Sequence, residues 1–194
     1  FNIHVKNFQI AMISLSEFGY EQTLKDPTKA FAKTWESKSF INGPAVKEFE
    51  KQFATYCESE SCVAVSSCTS ALHLSLLALG VGPGDEVITV PYTWVSTVEV
   101  VKQVGATPVF VDITLNDMCI DPKEVAKKIS KKTKAIIGVD LYGNVCNIDE
   151  LKKFNVPIIQ DSAQSTGAFY KGKRVGSLAD LTCFSFYPTK NLSC

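Results

Sequence analysis

Four stretches of this chain carry residue types that could do chemistry. Ser66-Ser67-Cys68-Thr69-Ser70-Ala71 follows a short apolar run and leads into a helical pattern. Small hydroxyl residues at a helix start offer free N–H groups and a positive dipole end, which suits a phosphate; an ordinary N-cap uses the same residue types. Pro91-Tyr92-Thr93-Trp94 follows a second apolar run, and its indole could stack on a flat ring or pack into the core. Asp161-Ser162-Ala163-Gln164 comes directly after Ile158-Ile159-Gln160. A carboxylate there is costly to bury without a partner, so it reads either as a helix cap or as the counter-charge to a ligand cation, with Gln164 as a donor. Ser185-Phe186-Tyr187-Pro188-Thr189-Lys190 follows the last apolar run. A lysine amine in a poorly solvated, electropositive site loses its proton more easily and can attack a carbonyl.

The elements that must position these groups alternate. Strands are expected at 62–65, 86–90, 107–111, 135–139, 156–160 and 181–186. Helices are expected at about 45–56, 69–79, 94–104, 122–129 and 149–154. Val46, Phe49, Phe53 and Tyr56 mark one helix by their 3- and 4-residue spacing, and Leu72, Leu76 and Leu79 mark the next. Asp121-Pro122 starts the helix at 122–129, and Gly82-Pro83-Gly84-Asp85 is a break. The strands are continuous apolar runs, as expected of strands buried on both faces. The fold class is therefore α/β, a three-layer α/β/α arrangement with a mostly parallel sheet. In such a sheet ligands collect beyond the carboxyl ends of the strands, which is where all four stretches fall. Residues 1–40 read as an irregular or partly helical N-terminal arm, with Asp26 or Thr28 capping a helix that runs to Lys38. Residues 41–194 read as one domain.

Composition narrows the function classes. Of the 194 residues, 45% are hydrophobic and 21% charged, as in soluble globular proteins, and the formal net charge is zero. Neither a nucleic-acid nor a membrane partner is suggested. Arg174 is the sole arginine, so a site gripping a dicarboxylate with a guanidinium fork has one candidate. The seven cysteines form no CxxC pair, and His4 and His73 lack ligand spacing, so no metal site is expected. Reduced cysteines and a cytoplasmic setting follow. Position 1 is not methionine, and the chain is expected to begin inside a longer product.

Together the four stretches supply a phosphate anchor, a ring stacker, an anionic partner and an imine-forming amine, the set that pyridoxal phosphate needs. Here the sequence resembles the DegT/DnrJ/EryC1/StrS family of pyridoxal-phosphate-dependent sugar aminotransferases of fold type I. The resemblance rests on FINGPAVKEFEKQFA, SSCTSALHLSLLALGVGPGDEVITVPYTWVST, GATPVFVDI, TKAIIGVDLYG, IIQDSAQSTGAFYKGKRVGS and FSFYPTKNL, in unbroken order from about Phe40 to Cys194. It implies that Lys190 is the catalytic, Schiff-base lysine. It further implies that Asp161 keeps the pyridine nitrogen protonated, that Gln164 lies beside the phenolic oxygen and that Trp94 stacks on the ring. Thr69, Ser70 and Ser185 match phosphate ligands. Two departures are Gln160, where the family usually has glutamate, and Ser162, where alanine or cysteine is common.

The resemblance implies transfer of an amino group from glutamate (or glutamine) to a nucleotide-linked keto sugar, for amino-sugar or polysaccharide biosynthesis, by a homodimer with shared sites. Family members are nearly twice as long, so the large domain is expected to be incomplete, lacking a central antiparallel strand and the C-terminal small domain. A sheet without that strand would show two unpaired edges. The rival readings are a sugar dehydratase of the same family, a non-catalytic module, and a dehydrogenase. Lys190 argues against the first, since those described carry histidine there. SSCTSA in place of GxGxxG argues against the last.

Overall fold

The computed structural model of the chain describes residues 8–12 and 27–192. Its main sheet has seven strands: β1 (Phe8–Met12), β2 (Ser61–Val65), β3 (Glu86–Thr89), β4 (Thr107–Phe110), β5 (Thr133–Val139), β6 (Ile158–Asp161) and β9 (Leu181–Phe184). Their order is β2-β1-β9-β6-β5-β3-β4, and every pair is parallel. A small antiparallel hairpin, β7 (Phe169–Tyr170) and β8 (Lys173–Arg174), stands apart. The helices are α1 (Pro27–Ser37), α2 (Pro44–Tyr56), α3 (Cys68–Ala78), α4 (Ser96–Gln103), α5 (Pro122–Lys128) and α6 (Ile148–Lys152).

The continuous apolar strands have a direct explanation. Side chains alternate across a sheet, so neighbours in one run enter different cores. Ile88, Ile136, Ile158 and Phe184 join a core with Phe53 of α2, Val125 of α5 and Leu151 of α6. Val87, Ile137, Ile159 and Leu181 join the opposite core with Leu72 and Leu76 of α3 and Val100 and Val101 of α4. The α/β/α expectation is thus met by two separate apolar layers.

Several expected bounds shift. The strand expected at 156–160 runs Ile158–Asp161, so Asp161 ends the strand instead of following it. The helix expected from Trp94 begins at Ser96. Thr28 lies inside α1, not before it, and Asp26 and Cys194 lie outside the described residues. The lead-in contains a strand: β1 lies between β2 and β9, so those two edges are not left unpaired. The hairpin β7–β8 was not expected, its two-residue strands being too short for a periodic signal.

Since all seven strands run the same way, their carboxyl ends share one edge. The pairings Val139↔Asp161 and Asp161↔Cys183 fix the ends of β5, β6 and β9 side by side. Phe53 anchors the layer beneath them: its ring packs on Phe49, Tyr56, Phe184 and Phe186 at centroid distances of 5.1–5.9 Å. Phe53→Ala is expected to lower unfolding free energy by about 3–5 kcal/mol, read as a shift in the denaturant midpoint at unchanged slope.

Candidate active site

Asp161 is the centre of the edge. It is 5% exposed and closes β6. Three groups from three segments donate to it: Thr97 Oγ1 of α4 to Oδ2 at 2.7 Å, Cys68 Sγ of α3 to Oδ1 at 3.9 Å, and the Ala163 N–H to Oδ1 at 3.3 Å. Burial pushes the carboxyl up from its ordinary range; the Thr97 hydroxyl, the Ala163 N–H, the Lys190 charge and Cys68 oppose that shift. The Lys190 charge also pulls against the rise at Cys68.

Around this centre stand the other residues singled out in the sequence. Ser67 caps α3: its extended backbone lets Oγ accept from the Ser70 N–H at 2.9 Å. The Ser70 hydroxyl shares hydrogen bonds with Ser66 Oγ at 3.0 Å and Ser67 Oγ at 2.9 Å. Thr69 occupies the first turn of α3, half-buried. The stretch thus forms an N-cap, with a hydroxyl cluster at the helix N-terminus. Ser185 is buried just past β9, and its Oγ accepts from the Tyr187 N–H at 3.4 Å. The Lys190 N–H donates to Tyr187 O at 2.8 Å, folding the chain after Pro188 into a turn. Trp94 is 74% exposed, on the segment between β3 and α4. Gln164 Oε1 accepts from the Tyr142 N–H at 3.0 Å, which leaves the Gln164 amide NH₂ as the end that can donate elsewhere. Tyr142 reaches this position with φ of 58°, a left-handed value that a non-glycine residue adopts only when its surroundings require it.

Arg174 is engaged elsewhere. Its guanidinium lies over the rings of Tyr56, at 4.1 Å, and Phe169, at 4.7 Å.

Sequence reasoning missed two groups. Thr97 gave no signal beyond a polar residue in an apolar helix pattern. Asp140 follows β5, and it is fully buried. Its Oδ1 accepts from the Cys146 N–H at 2.9 Å, and its Oδ2 accepts from Gln160 Nε2 at 2.9 Å and Ser162 Oγ at 2.7 Å. Gln160 and Ser162 are the two departures from the family pattern, and they flank Asp161 on both sides. Both are donors to the same carboxylate. A glutamate at 160 would instead set a second carboxylate against Asp140 in a site without water access. Cys119 and Cys146 bring their thiols within 4.8 Å of this carboxylate and of one another, a cluster that spacing alone did not reveal.

Comparisons with known proteins show the family. The profile of the DegT/DnrJ/EryC1/StrS aminotransferase family matches residues 22–194. The chain belongs to that family. The UDP-2-acetamido-2-deoxy-3-oxo-D-glucuronate aminotransferase of Pseudomonas aeruginosa is 44% identical over 159 residues, covering 80% of this chain and 44% of that protein. The crystal structure of S. venezuelae DesV in complex with a ketimine intermediate superposes with a TM-score of 0.84 at 39% identity, over 90% of this chain and 48% of that one. NtdA from Bacillus subtilis, with bound cofactor PMP, superposes with a TM-score of 0.81 at 32% identity, over 89% and 40%. The chain spans about half the length of the curated relatives it matches. The fold is the large-domain α/β architecture of fold type I.

Burial pushes the Asp140 carboxyl up to about 6, against the pull of its donors. A raised value means that the native state binds this proton more tightly than the unfolded chain does. The group's contribution to stability is full below the ordinary carboxylate range and is lost as pH rises through about 6. The stability difference between the natural chain and Asp140→Asn should therefore fall by on the order of 3 kcal/mol from pH 4 to pH 7. Gln160→Glu should cost about 3–5 kcal/mol at neutral pH, and Asp140→Asn added to it should recover most of the loss. Denaturant unfolding across pH checks both.

Proposed function

We propose that this chain supplies the cofactor-binding half of a pyridoxal-phosphate-dependent sugar-nucleotide aminotransferase, with residues 41–194 as the cofactor-binding unit. The observation that carries this reading is the convergence on Asp161: a buried carboxylate at the sheet's carboxyl edge, oriented by α3 and α4 and favoured by the Lys190 charge. The residues present fit the cofactor. The capped α3 N-terminus with Ser66, Ser67, Thr69 and Ser70, together with Ser185, would receive the phosphate. Asp161 would hold a proton on the pyridine nitrogen. The free NH₂ of Gln164 would donate to the phenolic oxygen, and the exposed Trp94 ring is available to stack on one face.

When bound, pyridoxal phosphate supplies an aldehyde for amines and a ring that draws electron density away from the substrate carbon. Lys190 would contribute the amine that holds the cofactor, and its Nζ would take up and return a proton at the substrate carbon. Asp161 stays ionised only while the burial cost is offset, which its donors and the Lys190 charge do in part. The helix-end hydroxyls would hold the phosphate and so limit where the ring could lie relative to Lys190.

The substrate reading draws on the relatives. A uronate-sugar nucleotide aminotransferase among them supports a nucleotide-linked keto sugar as acceptor. Glutamate (or glutamine) as donor, a role in amino-sugar or polysaccharide biosynthesis, a homodimer with shared sites and a cytoplasmic location complete the proposal. No helix among the described residues is long and apolar enough to cross a membrane.

Titration of the full protein with pyridoxal phosphate should give a visible absorbance band, and glutamate should bleach it. Lys190→Ala should abolish the band and lower transamination by at least about a thousandfold, with the fold retained by circular dichroism. A protein that stays colourless at saturating cofactor contradicts the reading.

A further inference from the structure

Thr97 is fully buried, and its hydroxyl touches two oxygens: Asp161 Oδ2 at 2.7 Å and Thr93 Oγ1 at 2.9 Å. A hydroxyl has a single proton to donate. An ionised carboxylate can only accept, so the Thr97 proton goes to Asp161. Thr97 Oγ1 must then accept from Thr93, whose own proton is fixed by that bond. The order is one-way: Thr93 donates to Thr97, and Thr97 donates to Asp161. Thr93 immediately precedes Trp94, so the chain of hydroxyls ties the segment that presents the indole to the carboxylate across the edge.

We propose that Thr97 is a positioning residue that holds Asp161 ionised and aimed at the cofactor ring, and that Thr93 sets the direction of its hydrogen bond. The inference rests on the reading of Asp161 as the pyridine-nitrogen partner. Two features of the site favour it over a role in packing alone. Of the three donors to Asp161, Thr97 makes the shortest bond, and it is the one that reaches Oδ2. Each hydroxyl proton of the pair also has an acceptor, so neither donor is left unsatisfied.

The charged and titratable groups that face Asp161 from the packed elements are Cys68 of α3, Cys183 of β9, Asp140 after β5 and Lys190. Lys190 favours the carboxylate and Asp140 opposes it; both thiols are held neutral by burial, with Cys183 pushed up to about 12 and Cys68 well above its ordinary value. Loss of the Thr97 donor leaves these groups in place, so its effect is read on their background.

The test is cofactor binding by the full protein, followed by the visible band from pH 5 to pH 9, for the natural chain, Thr97→Val, Thr97→Ser, Thr93→Val and Asp161→Asn. Thr97→Val keeps the shape and removes the donor. It should weaken pyridoxal phosphate roughly tenfold to hundredfold, and it should move the acid limb of binding to higher pH, because Asp161 then protonates more readily. Thr97→Ser should restore both. Thr93→Val should shift the limb the same way by less, and it serves as the readout if Thr97→Val does not fold. A Thr97→Val protein with the natural affinity and acid limb, while Asp161→Asn binds poorly, overturns the inference and leaves the Asp161 reading standing. A lowered melting temperature with an unmoved limb overturns it too, since that is what packing alone would give. Natural binding by Asp161→Asn overturns the Asp161 reading, and this inference with it.

Discussion

A carboxylate buried at the end of a parallel strand is the constraint on which the rest of this structure turns. Removing the charge of Asp161 from water is costly, and donors from three different segments offset part of that cost. Each donor needs its backbone in a fixed place. Cys68 requires α3 to begin where it does, Thr97 requires α4 to pack beside it, and Ala163 requires the turn after β6. The sheet meets that requirement because all its strands deliver their ends to one edge. The buried Asp140, with Gln160 and Ser162 as its donors, braces the same turn from behind. The two carboxylates each have their own set of donors.

Much of this was legible in the sequence. The four chemistry-bearing stretches fall at strand ends, and the continuous apolar runs gave the parallel sheet and both helix layers. Those signals are local, since a run of Ile and Val tells of two-sided burial wherever it stands. What was not legible depends on contacts between distant residues. Thr97 lies 64 positions before Asp161, and Asp140 lies 20 before Gln160. Nothing in the type or spacing of either residue announces the meeting. The strand Phe8–Met12 escaped for a different reason: its pattern is not distinct from an irregular segment, and its place is set by the open position between β2 and β9.

The substitutions at 160 and 162 show how a family site can vary without losing its centre. Read along the sequence they are departures beside a key residue. In the fold they are matched to Asp140, which needs donors and would not tolerate a third acidic group beside Asp161. The variation therefore falls on the donors to Asp140, and the donors to Asp161 are untouched by it.

The central claim is that Lys190 and Asp161 build one pyridoxal phosphate site. Its most direct measurement is borohydride reduction of the cofactor-loaded protein, followed by peptide mapping in a mass spectrometer. The expected result is a single pyridoxyl adduct on the peptide carrying Lys190, formed by the natural protein and formed far less at equal cofactor by Asp161→Ala. An adduct on other lysines, or labelling of Lys190 that is indifferent to Asp161, would contradict the account.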